Sequence, residues 1–137
     1  MARDKYHDVV REALIKDGWD ITDDPYRIET GQRTVEVDLG AERLIAAEKE
    51  EEKIAVEVKS FINVYQLGDF YTALGQFLYY RMAIEKTEDD RILFLAIPTT
   101  AYRTFFSETL TQAVLAQHNV RILVYHTKKW EIVKWIK

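Results

Sequence analysis

The sequence predicts an α/β protein in which helices flank a mixed β-sheet. In some segments apolar residues recur at helical spacing, and in others they occupy every second position, as in a half-buried strand. The segments follow the order helix, antiparallel meander, helix, strand, helix, strand, which predicts layers of helix packed on a sheet. The 137 residues are 47% hydrophobic and 31% charged, which is sufficient for one globular domain spanning residues 1–137.

The first elements are a helix and three short extended segments. A helix is predicted over residues 4–17, where the apolar residues lie three and four apart and Gly18 ends the helix. Extended segments follow at residues 19–21, 26–30 and 33–39. In the third, Val35, Val37 and Leu39 alternate with Glu36 and Asp38, so Asp38 is expected on the face opposite the apolar set.

A strand at residues 53–61 comes next. It follows an apolar run at residues 44–47 and a charged run at 48–53, which we interpret as the solvated tip of a hairpin. Ile54, Val56 and Val58 form one apolar face of this strand. Glu57 and Lys59 leave from the other face, about 7 Å apart along the chain.

The second half of the chain alternates helices and strands. A long helix is predicted at residues 65–85 and a further helical segment at residues 102–117. The strand at residues 91–97 is almost continuously apolar, which indicates that both of its faces are covered. Strands are also expected at residues 121–125 and 130–137. The stripe expected to pack the long helix consists of Leu67, Phe70, Tyr71, Leu74, Leu78 and Met82.

Composition excludes several classes of site and location. A net charge of −4 and a pI near 5.4 argue against a protein that coats nucleic acid through a broad basic surface. Without cysteine there are no disulfides, zinc ribbons or thiol chemistry, and His7, His118 and His126 lack metal-ligand spacing, so a metal would be bound by oxygen. No apolar run approaches about 18 residues and no signal peptide is evident, which predicts a cytoplasmic protein without a membrane anchor.

Six polar residues are candidates for a metal-dependent phosphodiesterase site. Such a site needs hard oxygen ligands for Mg²⁺ and a cation near the developing charge on phosphate. Asp38, Glu57 and Lys59 have the required side chains, while Gln76 and Tyr80 lie one helical turn apart. The remaining candidate is Glu12 on the first helix.

Each candidate also has a purely structural interpretation. Glu57 and Lys59 could form a solvated pair, and Glu12 could be an ordinary charged residue beside the apolar stripe of its helix. Gln76 and Tyr80 could close the edge of the core, with the tyrosine ring buried and its hydroxyl at the rim.

The chain resembles a known family in several stretches. Asp38, then Glu57-Val58-Lys59, with a glutamate on the preceding helix and a Gln-x-x-x-Tyr on the next, resembles the PD-(D/E)XK nuclease superfamily. A closer resemblance covers nearly the whole chain and is to the XisH family, the fdxN-element excision controlling factor proteins of cyanobacteria. It is carried by R-D-K-Y-H-D-V-V-R-E-A-L-I-K-D-G-W-D-I-T-D-D-P, V-E-V-D-L-G-A, I-A-V-E-V-K-S-F and G-Q-F-L-Y-Y.

The resemblance implies a restriction-endonuclease-like core and a set of roles. Asp38 and Glu57 would bind Mg²⁺ or Mn²⁺ with the carbonyl of Val58, and Lys59 would orient water and stabilise the transition state. Glu12 would be an outer or second-metal ligand, and Gln76 with Tyr80 would position the phosphate or brace the strand. The sequence departs from the motif because Val37, not proline, precedes Asp38.

Two functions follow from the resemblance. The first is a Mg²⁺-dependent DNA endonuclease that acts as an accessory to excision of a DNA element by a separate site-specific recombinase. The second is a non-catalytic regulator that uses the same fold to bind DNA or a XisI-type companion protein. Aromatic residues in W-E-I-V-K-W-I-K and A-Y-R-T-F-F also suggest a homodimer as a hypothesis, the alternative for the first segment being an ordinary last strand packed on the sheet.

Overall fold

The computed structural model describes residues 4–45, 50–87 and 89–137, and these residues form helices packed on a mixed sheet. Within them, no helix is long and apolar enough to cross a membrane. The helices are α1 (His7–Lys16), α2 (Gln66–Lys86), α3 (Thr99–Arg103) and α4 (Thr109–Gln117), with a 3₁₀ turn at Phe105–Ser107. The strands are β1 (Asp20–Asp23), β2 (Tyr26–Glu29), β3 (Thr34–Val37), β4 (Leu39–Ile45), β5 (Glu50–Val58), β6 (Ile92–Pro98), β7 (Ile122–His126) and β8 (Glu131–Ile136).

Six of the strands form the mixed sheet that the sequence predicts. Their order is β1-β4-β5-β6-β7-β8, and β2 pairs only with β3 in a separate hairpin. The pairs β5–β6 and β6–β7 are parallel, whereas β1–β4, β4–β5 and β7–β8 are antiparallel. The two parallel pairs require crossovers, which α2 and the α3–α4 region provide.

Both faces of the sheet are buried. On one face α1 packs over a core that includes Val56 and Phe94. On the other face α2, the 3₁₀ turn and the β2–β3 hairpin enclose a core that includes Ala55 and Leu95. The prediction that both faces of the strand at residues 91–97 are covered is therefore confirmed, because alternate residues of β6 enter different cores.

The segment predicted as one strand at residues 33–39 is divided at Asp38. Val35 and Val37 belong to the core under α2, whereas Leu39 belongs to the core under α1. The chain bends at Asp38 and passes from the hairpin into the main sheet. The prediction that Val35, Val37 and Leu39 share one face was wrong, since simple alternation cannot anticipate a change of sheet.

The charged run was also misassigned in part. Residues 50–53 do not form a hairpin tip but continue β5, where Glu52 pairs with Arg43 and Lys53 with Glu42 of β4. Opposite charges across the ladder stabilise these polar positions on the strand. Residues 46–49, which include the start of the predicted tip, lie outside the described residues.

Two helical predictions need correction. The segment 102–117 is interrupted between α3 and α4. Its Phe105 and Phe106, which belong to the aromatic segment that suggested a homodimer, are buried. In α2 the predicted stripe is confirmed for Phe70, which is buried, and for Leu74 and Leu78, which pack against the core, but Leu67, Tyr71 and Met82 are exposed. The other buried residues of α2 are Ala73, Phe77, Tyr80, Ala83 and Ile84. The last strand packs on the sheet through Trp135, which contacts Trp19 and Phe94. This agrees with the alternative interpretation of the terminal segment, an ordinary last strand packed on the sheet.

Candidate functional site

Asp38 lies where the chain leaves β3 and enters β4, directly beside the end of β5. Its carboxylate Oδ2 accepts a hydrogen bond of 2.7 Å from the backbone N–H of Val58. Its own backbone N–H donates a hydrogen bond of 3.2 Å to Oε1 of Glu57. These two reciprocal bonds place Asp38 and Glu57, nineteen positions apart in sequence, in one site.

Glu57 is buried although it carries a charge-bearing side chain. Val56 and Val58 point into the core under α1, so Glu57 leaves β5 on the opposite face, beneath α2 and the hairpin. Only 5% of Glu57 is exposed. The predicted sharing of a face by Glu57 and Lys59 fits the ion pair of 3.4 Å between Glu57 Oε2 and Lys59 Nζ.

The electrostatics of the site follow from this burial. Desolvation, followed by the nearby charge of Asp38, raises the pKa of Glu57 to about 8. Burial also raises the pKa of Asp38, and the hydrogen bond from Val58 and the charge of His7 only partly offset that effect. The buried carboxyl group of Glu57 and the half-buried one of Asp38 therefore lie together, and a cation between them would favour the ionised form of both.

Lys59 is held at the end of β5 by its backbone. Its N–H donates to the carbonyl of Ala96, and its own carbonyl accepts a hydrogen bond of 2.9 Å from the hydroxyl of Tyr125. Tyr125 is fully buried in the core under α1. The backbone at Lys59 is therefore held by hydrogen bonds to residues of β6 and β7, while its ammonium group remains partly exposed.

Tyr80 reaches the site from α2, as its position one turn after Gln76 allowed. Burial, and then the charges of Glu57 and Asp38, raise the pKa of Tyr80 to about 12. Its hydroxyl therefore stays protonated and can donate a hydrogen bond. Gln76 carries a buried Oε1 that has no hydrogen-bond partner among the described residues, which leaves an acceptor for a water or a ligand.

The structure does not bring Glu12 to the other candidates. It lies on the solvent-facing side of α1 with a side chain that is 47% exposed, and its partner is Arg11, at 3.9 Å. The residue of α1 that influences Asp38 is instead His7, which is 3% exposed and contacts Asp24 Oδ1 at 2.7 Å. The signal for His7 was its position on the apolar side of the predicted helix.

Asp4 is a second residue that the sequence analysis did not select. One of its carboxylate oxygens accepts the backbone N–H of Tyr6, and the other accepts that of Ser60 just after Lys59. Asp4 thus joins the start of α1 to the end of β5. An aspartate at the start of a helix is a common capping signal, but its long-range partner could not be predicted from sequence.

The donor set suits a hard cation. In the described residues no group of three or more His, Cys, Asp or Glu side chains is gathered to hold a metal. Asp38 and Glu57 would supply two carboxylates, and the carbonyl of Val58 would be the further oxygen donor. Mg²⁺ is commonly bound by one or two carboxylates with water and substrate oxygens completing its shell, so the residues present fit that ion.

Comparisons with known proteins give matches that extend over nearly the full chain. The model of the family described as XisH protein matches residues 1–133. A crystal structure of an XisH family protein from Nostoc punctiforme PCC 73102 is 42% identical, with a TM-score of 0.87 and coverage of 96% of this chain and 98% of that one. A crystal structure of a fdxN element excision controlling factor protein from Anabaena variabilis is 44% identical, with a TM-score of 0.89 and coverage of 98% and 100%.

None of the curated proteins compared matches the sequence. The family match covers far more than half of the chain, and both structural relatives exceed 40% identity over nearly their whole length. The chain belongs to the XisH family.

Proposed function

We propose that this protein is a Mg²⁺- or Mn²⁺-dependent DNA endonuclease built on a PD-(D/E)XK core. In this proposal it is an accessory factor that controls excision of an interrupting DNA element by a separate site-specific recombinase. A relative that is 44% identical is named a fdxN element excision controlling factor, which supports the biological part of the proposal. The order of helix, antiparallel strands, helix and parallel strand around the site supports the core.

The observation that carries the proposal is the pair formed by buried Glu57 and half-buried Asp38, with Lys59 beside it. An isolated pair of buried carboxyl groups is costly, and the raised pKa of Glu57 reflects that cost. A divalent cation would compensate both charges. When bound, Mg²⁺ would polarise a phosphoryl oxygen and lower the pKa of water.

The protein's own groups would act on the phosphodiester. Asp38 and Glu57 would hold the cation, and Lys59 would place positive charge near the attacking water and the developing phosphorane charge. Tyr80 would donate a hydrogen bond from its protonated hydroxyl to phosphate, with Gln76 beside it on α2. Glu12 has no place in this arrangement because it faces solvent.

The reciprocal hydrogen bonds favour a second candidate function. The carboxylates of Asp38 and Glu57 each accept a hydrogen bond from a backbone N–H, so the pair also connects the start of β4 to the end of β5. A non-catalytic regulator that binds DNA or a XisI-type companion protein could retain the pair for this structural reason. The two functions differ in whether the carboxylates bind a metal that supports DNA cleavage.

The test combines calorimetry and DNA cleavage. Titration with Mg²⁺ and Mn²⁺ is expected to show binding in the wild type and its loss in Asp38→Asn and Glu57→Gln. Cleavage of plasmid or branched DNA is expected to fall by about 100-fold or more in these variants and in Lys59→Met. The matched controls are Glu12→Gln and Lys128→Met, both at exposed positions, and these variants should retain metal binding and cleavage.

Three results would separate the candidates. Metal binding and cleavage that both depend on Asp38 and Glu57 would support the nuclease. Metal binding without cleavage, in the presence or absence of a XisI-type protein, would favour the regulator. Cleavage that survives in Asp38→Asn and Lys59→Met would overturn the assignment of the site.

A further inference from the structure

The outward face of α2 is apolar along most of its length. Leu67, Tyr71 and Met82 are respectively 37%, 61% and 51% exposed, and Leu78 between them is half-buried. These are members of the stripe that the sequence analysis expected in the core. They lie along the flank of α2 beside its buried face, where Leu78 and Leu74 also pack against the core, and we call them, with Leu74 and Gly75, the outer stripe.

This surface lacks the charges that usually cover an exposed helix. No charged residue occurs between Asp69 and Arg81, although Tyr71 and Tyr79 in that interval are both more than half exposed. A helix that is apolar on both sides is normally buried on both sides. The exposed Ile62, Val64 and Tyr65 extend the same apolar surface in the loop before α2.

The order of residues in the outer stripe is self-complementary. Leu67 and Met82 are equally distant in sequence from the point between Leu74 and Gly75, and so are Tyr71 and Leu78. If two copies of α2 packed antiparallel about that point, Leu67 would meet the partner's Met82, and Tyr71 would meet the partner's Leu78. A two-fold dimer interface requires this property, in which residue i contacts j while j contacts i.

A glycine and a surface depression lie at positions where this packing requires space. Gly75 is exposed at the centre, and a Cβ built on it meets nothing within 4 Å, so two helices could approach closely there. Beside Leu78 and Met82 lies a surface depression of about 470 Å³, lined also by Arg81, Glu85, Asn119 and Arg121. The depression lies at the level where the partner's Tyr71 would be placed.

Charge at the two ends of α2 is also complementary. Glu85 is exposed on the line of the outer stripe near the C-terminal end. At the other end, Tyr65 occupies the N-cap position and, within the described chain, no side chain caps the first turn. Antiparallel packing would bring Glu85 within about one turn of the partner's first backbone N–H groups, which favour a negative charge in addition to that of Asp69 in the same turn.

We propose that the outer stripe of α2 is a homodimer interface, with two copies packed antiparallel about the Leu74–Gly75 point. The stripe from Leu67 to Met82 is about 22 Å long at 1.5 Å per residue. The partner is a second copy of this chain, because each apolar residue of the outer stripe would meet an apolar residue of the same stripe in the second copy. The charge at one end of α2 would likewise meet the opposite end of the second α2. The proposal locates the interface on α2 and not on the terminal segment, whose Trp135 is used within the fold.

The first test is sedimentation of the full chain over a range of micromolar concentrations. The wild type is expected at twice the 16.1 kDa mass of the chain. Tyr71→Glu and Met82→Glu should each weaken dimerisation by about 100-fold, since a tenfold loss per site counts twice in a two-fold interface. Val133→Glu is the control, because Val133 is 56% exposed on β8, away from α2.

Oxidative cross-linking gives an independent test, since the chain contains no cysteine. Gly75→Cys at the two-fold point should form a covalent dimer rapidly, whereas Thr72→Cys, exposed on the same helix but off the stripe, should not. A wild type that sediments only as a monomer would overturn the proposal. Dimers unaffected by Tyr71→Glu, or equal cross-linking of the two cysteine variants, would also overturn it.

Discussion

At the residue scale, the sequence predicted the positions of Glu57 and Lys59 better than their environment. Alternation in β5 correctly placed Glu57 and Lys59 on the face opposite Val56 and Val58. Polar residues on one face of a strand usually indicate solvent, yet Glu57 is buried. Its cover comes from α2 and the β2–β3 hairpin, which are distant in sequence, so periodicity within β5 could not reveal it.

The pKa of Glu57 leads to a prediction about stability and pH. Between the ordinary pKa of 4.5 and the raised value of about 8, the folded protein keeps a proton that the unfolded chain releases. The free energy of unfolding should therefore fall as pH rises through this window. In Glu57→Gln this contribution is absent, so between about pH 5 and pH 8.5 the free energy of unfolding of the variant should rise relative to that of the wild type by about 4 kcal/mol.

Urea denaturation at the two pH values measures this difference. Glu131→Gln, an exposed change on β8, should show no such gain. An identical pH dependence in wild type and Glu57→Gln would contradict the buried, proton-binding state of Glu57.

The hydroxyl of Tyr125 gives a second prediction at this scale. Tyr125→Phe would leave the buried end of β5 without the donor that satisfies the carbonyl of Lys59. We expect a loss of about 1–2 kcal/mol in the free energy of unfolding. Tyr102→Phe removes only an exposed contact with Lys134 and should cost less than about 0.5 kcal/mol. Equal costs for the two variants would argue against a special role for the Tyr125 bond.

At the scale of elements, the sequence identified α2 but only part of the face that it buries. Its apolar residues occupy both sides, so helical spacing alone fits two stripes equally well. The choice is made by the sheet and the 3₁₀ turn, where Phe105 and Phe106 pack against Phe70. The division of residues 33–39 at Asp38 escaped prediction for a related reason, because the hairpin and the main sheet select different faces of one apolar pattern.

Arg91 joins several strands and allows a prediction about the sheet. Its guanidinium donates to the carbonyls of Ala41 and Ile54 and to the carboxylate of Glu42, and it stacks 4.7 Å from the ring of Tyr26. Lysine keeps the charge but lacks the planar fork that makes these contacts. Arg91→Lys should therefore lower the free energy of unfolding by about 2–4 kcal/mol.

Chemical denaturation of Arg91→Lys against Arg27→Lys tests this role. Arg27 forms an ion pair of 2.9 Å with Glu36 on the exposed hairpin, so its change to lysine should cost less than about 1 kcal/mol. If the two variants were equally stable, Arg91 would be merely a surface charge.

At the scale of the whole molecule, the mixed sheet with helices on both faces was predictable, whereas the assembly of the site was only partly so. Asp38 and Glu57 come from two segments that the sequence predicted as strands, and the β4–β5 pairing brings these segments side by side. It could not distinguish Glu12 from His7, since both lie on α1 and only the packing of that helix decides which one approaches Asp38. Long-range packing thus determines which residue of α1 lies near Asp38.

The final prediction links the proposed metal to the stability of the entire fold. A ligand that binds only the folded state stabilises it by mass action. Because Mg²⁺ would require Glu57 to be ionised, and its pKa is raised to about 8, apparent affinity should fall about tenfold for each pH unit below that value. The stabilisation by excess Mg²⁺ should then be about 1.4 kcal/mol smaller at pH 6.5 than at pH 7.5, or several degrees in Tm. Differential scanning calorimetry with and without MgCl₂ measures this shift. Asp38→Asn should abolish it and Glu12→Gln should preserve it, whereas a shift that is equal at both pH values or persists in Asp38→Asn would place the metal elsewhere.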